Sequence, residues 1–234
     1  MKMLYEIEDK KWFSFKGIGI AVLMLAIYFG VPQLVGGLFY YKLGLPEVPS
    51  VFIGNIVVAL IFFLMFMPLL IKHFKEYASN FSDSFHDSLK FWGIGLGIMV
   101  VTNLILNVFV FPGEIAENEE LNRSFLGLYP LIGFFEVSLL APFIEEMIFR
   151  FALRKAWGYN KYYPLISGLV FGLLHALTGI NSISDLPYLL YTIPYGALGY
   201  AFGYAYNKSN NIFSSMVCHF LHNTMCFVFI VLAV

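Results

Sequence analysis

The chain has 234 residues, of which 59% are hydrophobic and 12% charged, and its formal net charge is -1. A soluble domain carries roughly 25% charged residues, so this composition, with a mean hydropathy of +0.76, excludes one and describes a polytopic membrane protein. Near-zero net charge says little about partners, and no nucleic-acid partner is expected.

Met1 to Lys16 is polar and charged. No short apolar stretch with a small-residue cleavage site opens the chain, so the first span reads as a retained anchor rather than a cleaved signal. Uncharged runs long enough to cross a bilayer need about 20 residues. About seven are present, roughly residues 17–41, 51–71, 91–112, 125–157, 162–179, 186–207 and 212–234. The predicted fold is all-α, a single membrane domain forming a multi-pass bundle of about seven transmembrane helices. Between the second and third spans, a polar segment with Asp83, His86 and Asp87 reads as a surface helix. The two cysteines, Cys218 and Cys226, lie eight residues apart in the last run, too far apart on one helix to bridge.

Lys and Arg mark the cytoplasmic side. With the N-terminus inside, the inner segments hold Lys2, Lys10, Lys11, Lys16, Lys72, Lys75, Lys90, Arg150, Arg154, Lys155, Lys161 and Lys208. The outer segments hold only Lys42 and Arg123. The outer loop around residues 113–123, with Glu114, Glu117, Glu119 and Glu120, reads as a solvated loop. The small chain without organelle signals suggests a bacterial cytoplasmic membrane.

The fourth span carries Glu145, Glu146 and Arg150 inside an otherwise apolar helix. Ionisable groups within spans are expensive and persist where they face a polar interior. Glu146 and Arg150 are four apart and meet on one helical face, acid before base. Glu145 lies about 100° around the helix with no built-in partner. Counting from the inner turns, Glu145 sits about 20 Å deep, His175 about 22 Å and His219 about 14 Å. Polar groups from three helices thus fall at similar depth, in the cytoplasmic half to the middle of the membrane, around a pocket reachable from the cell interior.

Phe171 and His175 share one helical face, as do His219 and Asn223, with His222 one step aside. A lone histidine on an apolar helix is more often a packing residue than a catalyst, and His222 reads that way. Glu136 points about half a turn away from Glu145 and reads as structural or as lining a polar gap. Asn55, Asn103 and Asn107 read as interhelical hydrogen-bond groups.

Glu145-Glu146-x-x-x-Arg150, Phe171-x-x-x-His175 and His219-x-x-x-Asn223, in that order on polar-bearing helices, resemble the CPBP family. These are the CAAX-protease and bacteriocin-processing intramembrane proteins, also called Abi proteins. The resemblance covers about residues 134–226. Residues 1–124 form spans without a motif, and residues 125–234 would be the catalytic core. The resemblance implies that Glu145 acts with His175 to activate a water. It implies that His219 and Asn223 hold the scissile carbonyl and its oxyanion, with Glu146, Arg150 and Phe171 as structural support. The substrate would be a peptide or a lipid-anchored protein tail, presented from the inner leaflet among membrane lipids.

The residues themselves agree. A carboxylate desolvated beside a neutralised neighbour is a competent general base, and an Asn amide with a His N–H supplies two oxyanion donors. No cofactor is then needed. The alternative is zinc held by Glu145, His175 and His219, with His222 as a further nitrogen. The His-Glu-x-x-His helix of common zinc peptidases is absent, and Asn223 suits a carbonyl better than zinc. Two non-hydrolytic readings stand beside the endopeptidase. One is a non-catalytic membrane partner protein, serving bacteriocin immunity or a sensor kinase. The other is a proton-coupled transporter, for which no inverted repeat is visible.

Overall fold

The computed structural model describes residues 12–232. Lys2, Lys10 and Lys11, most of the polar stretch before the first span, and the last two residues of the final expected span lie outside the described residues. The elements are α1 (Phe15–Leu43), α2 (Glu47–Ser79), α3 (Phe81–Phe109), α4 (Glu117–Leu128), α5 (residues 130–157), α6 (Tyr163–Leu177), a 3₁₀ helix (Ile183–Tyr191), α7 (Thr192–Ser209) and α8 (Ile212–Leu232). The described residues contain no strand, and the fold is an all-α membrane bundle.

Apolar side chains on the outer helices point away from the bundle. Val22, Phe29 and Leu34 on α1, Leu60 and Leu64 on α2, and Leu104 and Val108 on α3 are exposed, the reverse of a soluble protein. With no water in lipid, the backbone of such rods must satisfy itself, and the helix does this. Among the described residues, four helices are long and apolar enough to cross a bilayer: α1, α2, α3 and α8. The other expected spans form helices that are shorter or interrupted by wider and tighter turns.

The interrupted rod α5 lies at the centre. It joins Pro130–Gly133, a π-helical stretch Phe134–Leu140, a regular stretch Ala141–Glu146, a second π-helical stretch Met147–Ala152, and Leu153–Trp157. Every residue from Met147 to Ala152 is buried, as expected of a helix surrounded by protein. Met147 and Phe151 pack in one core with Met24 of α1, Phe62 and Phe66 of α2, Tyr163 of α6 and Ile212 of α8.

Three boundaries differ from the sequence reading. The fourth span was expected from about residue 125, but the chain breaks at Tyr129 and the rod begins at Pro130. The loop expected around residues 113–123 runs instead into the polar helix α4, where Glu119 and Arg123 pair at 2.6 Å, four residues apart. The polar segment with Asp83, His86 and Asp87 is the first part of α3 itself, held by contact between the Tyr77 and Ser88 hydroxyls across the α2–α3 corner.

The lysine-rich end of the bundle is closed by hydrogen bonds. The Ser14 N–H donates to the Ala156 carbonyl at 3.0 Å. Arg154 Nη2 donates to Asn210 Oδ1 at 2.7 Å. The Asn211 side chain donates to the His73 carbonyl at 2.8 Å, and the Ile212 N–H to His73 Nδ1 at 3.2 Å. At the opposite end stand Glu47, Glu114, Glu117, Glu119, Glu120 and Asp185.

Helices α6 and α7 touch backbone to backbone. A Cβ on Gly172 would lie 2.5 Å from the Thr192 carbonyl oxygen and 2.6 Å from the Gly196 nitrogen. Small residues permit this approach in a membrane, where packing rather than hydrophobicity joins helices. Gly172→Val should therefore lower stability by about 1–3 kcal/mol, read as an earlier thermal unfolding midpoint in detergent micelles. An unchanged midpoint would show that the two helices can separate at no cost.

Candidate active site

Glu145 and Glu146 occupy the short regular stretch of α5 between its two π turns. Neighbours on such a stretch diverge by about 100°, and their surroundings differ accordingly. Glu146 is fully buried. Its carboxylate receives a hydrogen bond from the Ser215 hydroxyl and another from His219 Nδ1 at 2.9 Å, and lies 3.2 Å from Arg150 Nε. That last contact is an ion pair only, since its angle does not make a hydrogen bond. Arg150 is also fully buried. Its guanidinium lies 4.6 Å over the Phe171 ring and 5.4 Å from that of Phe202, and Nη2 reaches the Gly199 carbonyl at 3.4 Å.

Glu145 faces the other way, into a cavity of about 400 Å³. His175, His219, His222 and Asn223 line the same cavity. Glu145 Oε2 has no hydrogen-bond partner, and His219 Nε2 stands 3.9 Å from it. His175 Nδ1 lies 2.9 Å from the Phe171 carbonyl. A carbonyl only accepts, so Nδ1 carries the proton, and a neutral ring then presents Nε2 as a lone pair. Phe171 packs against both histidines, with centroids 4.2 Å from His175 and 5.7 Å from His219.

The first π turn explains the position of Asn223. The Ala141 N–H reaches back five residues to the Glu136 carbonyl, so the Val137 carbonyl loses its ordinary partner. The next amide that could serve it belongs to residue 142, which is proline and has no N–H. Asn223 Nδ2 donates to this stranded oxygen at 2.8 Å. One of the two amide hydrogens is thereby used, and the second remains for a ligand. The second π turn is also tied to a neighbouring helix. The Phe149 and Arg150 carbonyls accept from the Ser167 and Tyr163 hydroxyls of α6 at 3.0 and 2.9 Å.

All seven residues singled out in the sequence meet here. Glu145, His175, His219 and Asn223 line the cavity, and Glu146, Arg150 and Phe171 stand behind them. Among the described residues no hydrogen bond joins Glu145 to His175. The reading of His222 as packing alone is revised. It lines the cavity, with Nε2 3.6 Å from Cys226 Sγ and Nδ1 buried without a partner. Asn103, read as an interhelical group, also lines the cavity. Glu136 does not line this cavity and accepts from Asn55 Nδ2 at 2.6 Å. Among the described residues no group of three His, Cys, Asp or Glu side chains that could hold a metal ion is found. Ser215 escaped the sequence reading, although its position four residues before His219 was the available signal.

The direction of access corrects the sequence reading. The pocket was expected to open toward the cell interior, but the lysine-rich end is closed. Asn118, Glu119, Asn122 and Arg123 of α4 line the cavity, and α4 belongs to the acidic end. A second cavity, of about 590 Å³, lies beyond and shares Asn118, Arg123, His175 and Tyr195 with the first. The cavity that Glu145 lines therefore reaches toward the acidic end.

Residues 127–225 match the family model of the Rce1-like type II CAAX prenyl endopeptidases. Three curated bacterial proteins are similar to this chain. The UPF0177 protein YaiF of Lactococcus lactis is 28% identical over 53% of this chain and 44% of its own length. YdiL of Bacillus subtilis, a proposed membrane peptidase, is 30% identical over 51% of this chain and 46% of its own. The UPF0177 protein YxdF of Lactococcus lactis is 26% identical over 55% and 70%. The chain thus spans less than half of the first two relatives. No solved structure matches it.

Removing Arg150 would leave Glu146 as an uncompensated buried charge. Arg150→Met should cost about 3–5 kcal/mol of stability, measured by unfolding in mixed micelles. Adding Glu146→Gln should recover much of that loss. Strictly additive costs in the double variant would show that the pair is not coupled.

Proposed function

We propose that the chain is a membrane-embedded endopeptidase that cleaves a peptide or a lipid-anchored protein tail with a glutamate-activated water. The observation that carries this reading is Glu145: a carboxylate that lines the cavity and has a buried oxygen without a partner, beside a second carboxylate already satisfied by Arg150, Ser215 and His219. The family match over residues 127–225 supports the reaction class.

A water between the Glu145 carboxylate and His175 Nε2 donates one hydrogen to each and turns a lone pair to the substrate carbonyl. Glu145 takes the proton as the water attacks and passes it to the departing amine. Water trapped between two fixed acceptors is already oriented, which removes part of the entropic barrier. The remaining N–H of Asn223 and Nε2–H of His219 hold the oxyanion. Donating from both ring nitrogens makes His219 an imidazolium, a charge offset by the carboxylates on either side. Val137 anchors Asn223 from behind, so the donor is held before substrate arrives. No step calls for a metal or other cofactor. The bacterial relatives support a place in a bacterial cytoplasmic membrane, where the positive-inside bias puts the lysine-rich end in the cytoplasm. A partner membrane protein that presents the substrate is compatible with this arrangement.

Three outcomes test the reading. In proteoliposomes, Glu145→Gln should abolish cleavage of a membrane-presented peptide while the unfolding midpoint holds. Retained cleavage would remove Glu145 from the chemistry, and a Glu145→Gln gene that still complements a deletion strain would favour the non-catalytic partner protein. Asn223→Ala should lower kcat about 10²–10³-fold, and Pro142→Ala, by restoring an amide for Val137, should loosen Asn223 and lower kcat by less. Treatment with 1,10-phenanthroline should leave the rate unchanged. A loss reversed by zinc alone would keep the hydrolase and overturn its metal-free mechanism.

A further inference from the structure

The cavity of about 590 Å³ at the acidic end lies outside the chemistry above yet abuts it. Its size falls in the range of small-ligand sites, about 300–1,000 Å³. Glu114, Glu117 and Glu120 line it, and all three are exposed. No ion pair engages them among the described residues, whereas Arg123, the cation in the same lining, is held by Glu119 at 2.6 Å. The lining therefore presents net negative charge.

Tyr191 is an independent sign of a ligand. It lines this cavity and is only 4% exposed, yet its hydroxyl has no hydrogen-bond partner. Its ring is stacked on Phe111 with centroids 5.3 Å apart, so the hydroxyl is held in place. A buried polar group without a partner is costly and calls for an explanation. A peptide carbonyl arriving in the cavity would accept from it. The tyrosine faces beside the glutamates also favour a cationic side chain.

Resting on the endopeptidase reading, we infer that this cavity is a binding site for a basic segment of the peptide substrate. Lysine or arginine side chains lie among Glu114, Glu117 and Glu120, and Tyr191 binds the adjoining backbone. His175 and Tyr195 line both cavities, so a chain seated here leads directly to Glu145. The charge acts mainly on encounter, because exposed carboxylates steer an oppositely charged ligand and are screened by salt.

Binding can be measured without hydrolysis. The probe is a fluorescein-labelled peptide with two lysines, compared with its norleucine counterpart. The full chain carries Glu145→Gln and sits in phosphatidylcholine nanodiscs, and fluorescence anisotropy reads affinity. The lysine peptide should bind about 10-fold more tightly at low ionic strength, with the gap closing near 0.5 M salt. Combined Glu114→Gln, Glu117→Gln and Glu120→Gln should remove the gap, and Tyr191→Phe should weaken both peptides several-fold. Equal binding of the two peptides to the Glu145→Gln chain, or a gap that survives either high salt or the triple change, overturns the inference. The peptide and salt comparisons need none of the cavity variants to fold. Charge-selective binding with no cleavage of the lysine peptide by the chain that keeps Glu145 would instead sink the endopeptidase reading and leave this site standing.

Discussion

The buried ion pair of Glu146 and Arg150 is the constraint on which the rest of the site depends. An isolated charge at this depth is untenable, and a pair is tolerable only when further hydrogen bonds complete it. Ser215 and His219 complete the carboxylate. Phe171, Phe202 and the Gly199 carbonyl surround the guanidinium. Those partners come from α6, α7 and α8, so satisfying one charge pair locks three helices around α5. Two groups at the cavity are placed as a by-product. His219 is turned so that Nδ1 is spent on Glu146 and Nε2 is not, and Phe171 becomes the wall against which His175 lies.

The π turns of α5 extend the same logic to the backbone. A wide turn leaves carbonyls without their usual amides, and those oxygens become attachment points for neighbouring helices. Val137 takes Asn223 and Phe149 takes Ser167, while the Arg150 carbonyl takes Tyr163 beside the Leu153 N–H. Irregular backbone at membrane depth is tolerated where protein surrounds it, and here it orients a side chain at the site. Pro142 is what makes the first of these oxygens available.

The two ends of the bundle then divide the labour. The lysine-rich end is tied shut by backbone and amide hydrogen bonds, while the acidic end carries α4 and the two connected cavities. The cavities reach one end, beneath a short polar helix, and leave the apolar surface of α1, α2 and α3 unbroken.

The sequence alone determined the all-α membrane class, the Glu146–Arg150 pair and the set of polar residues that converge. These follow from local rules: apolar run length, the i,i+4 contact and the shared depth of groups counted from a turn. What it could not determine was the direction of access, the partner of Asn223 and the role of α4. The first depends on which loops fold over the bundle. The second depends on a π turn, whose extra residue shifts every angle counted at 100° per position. The third failed because a run of glutamates looks alike whether it lies in water or over a cavity. Each of these was decided only by tertiary packing, because each is a contact between segments far apart in the chain whose formation no local pattern records.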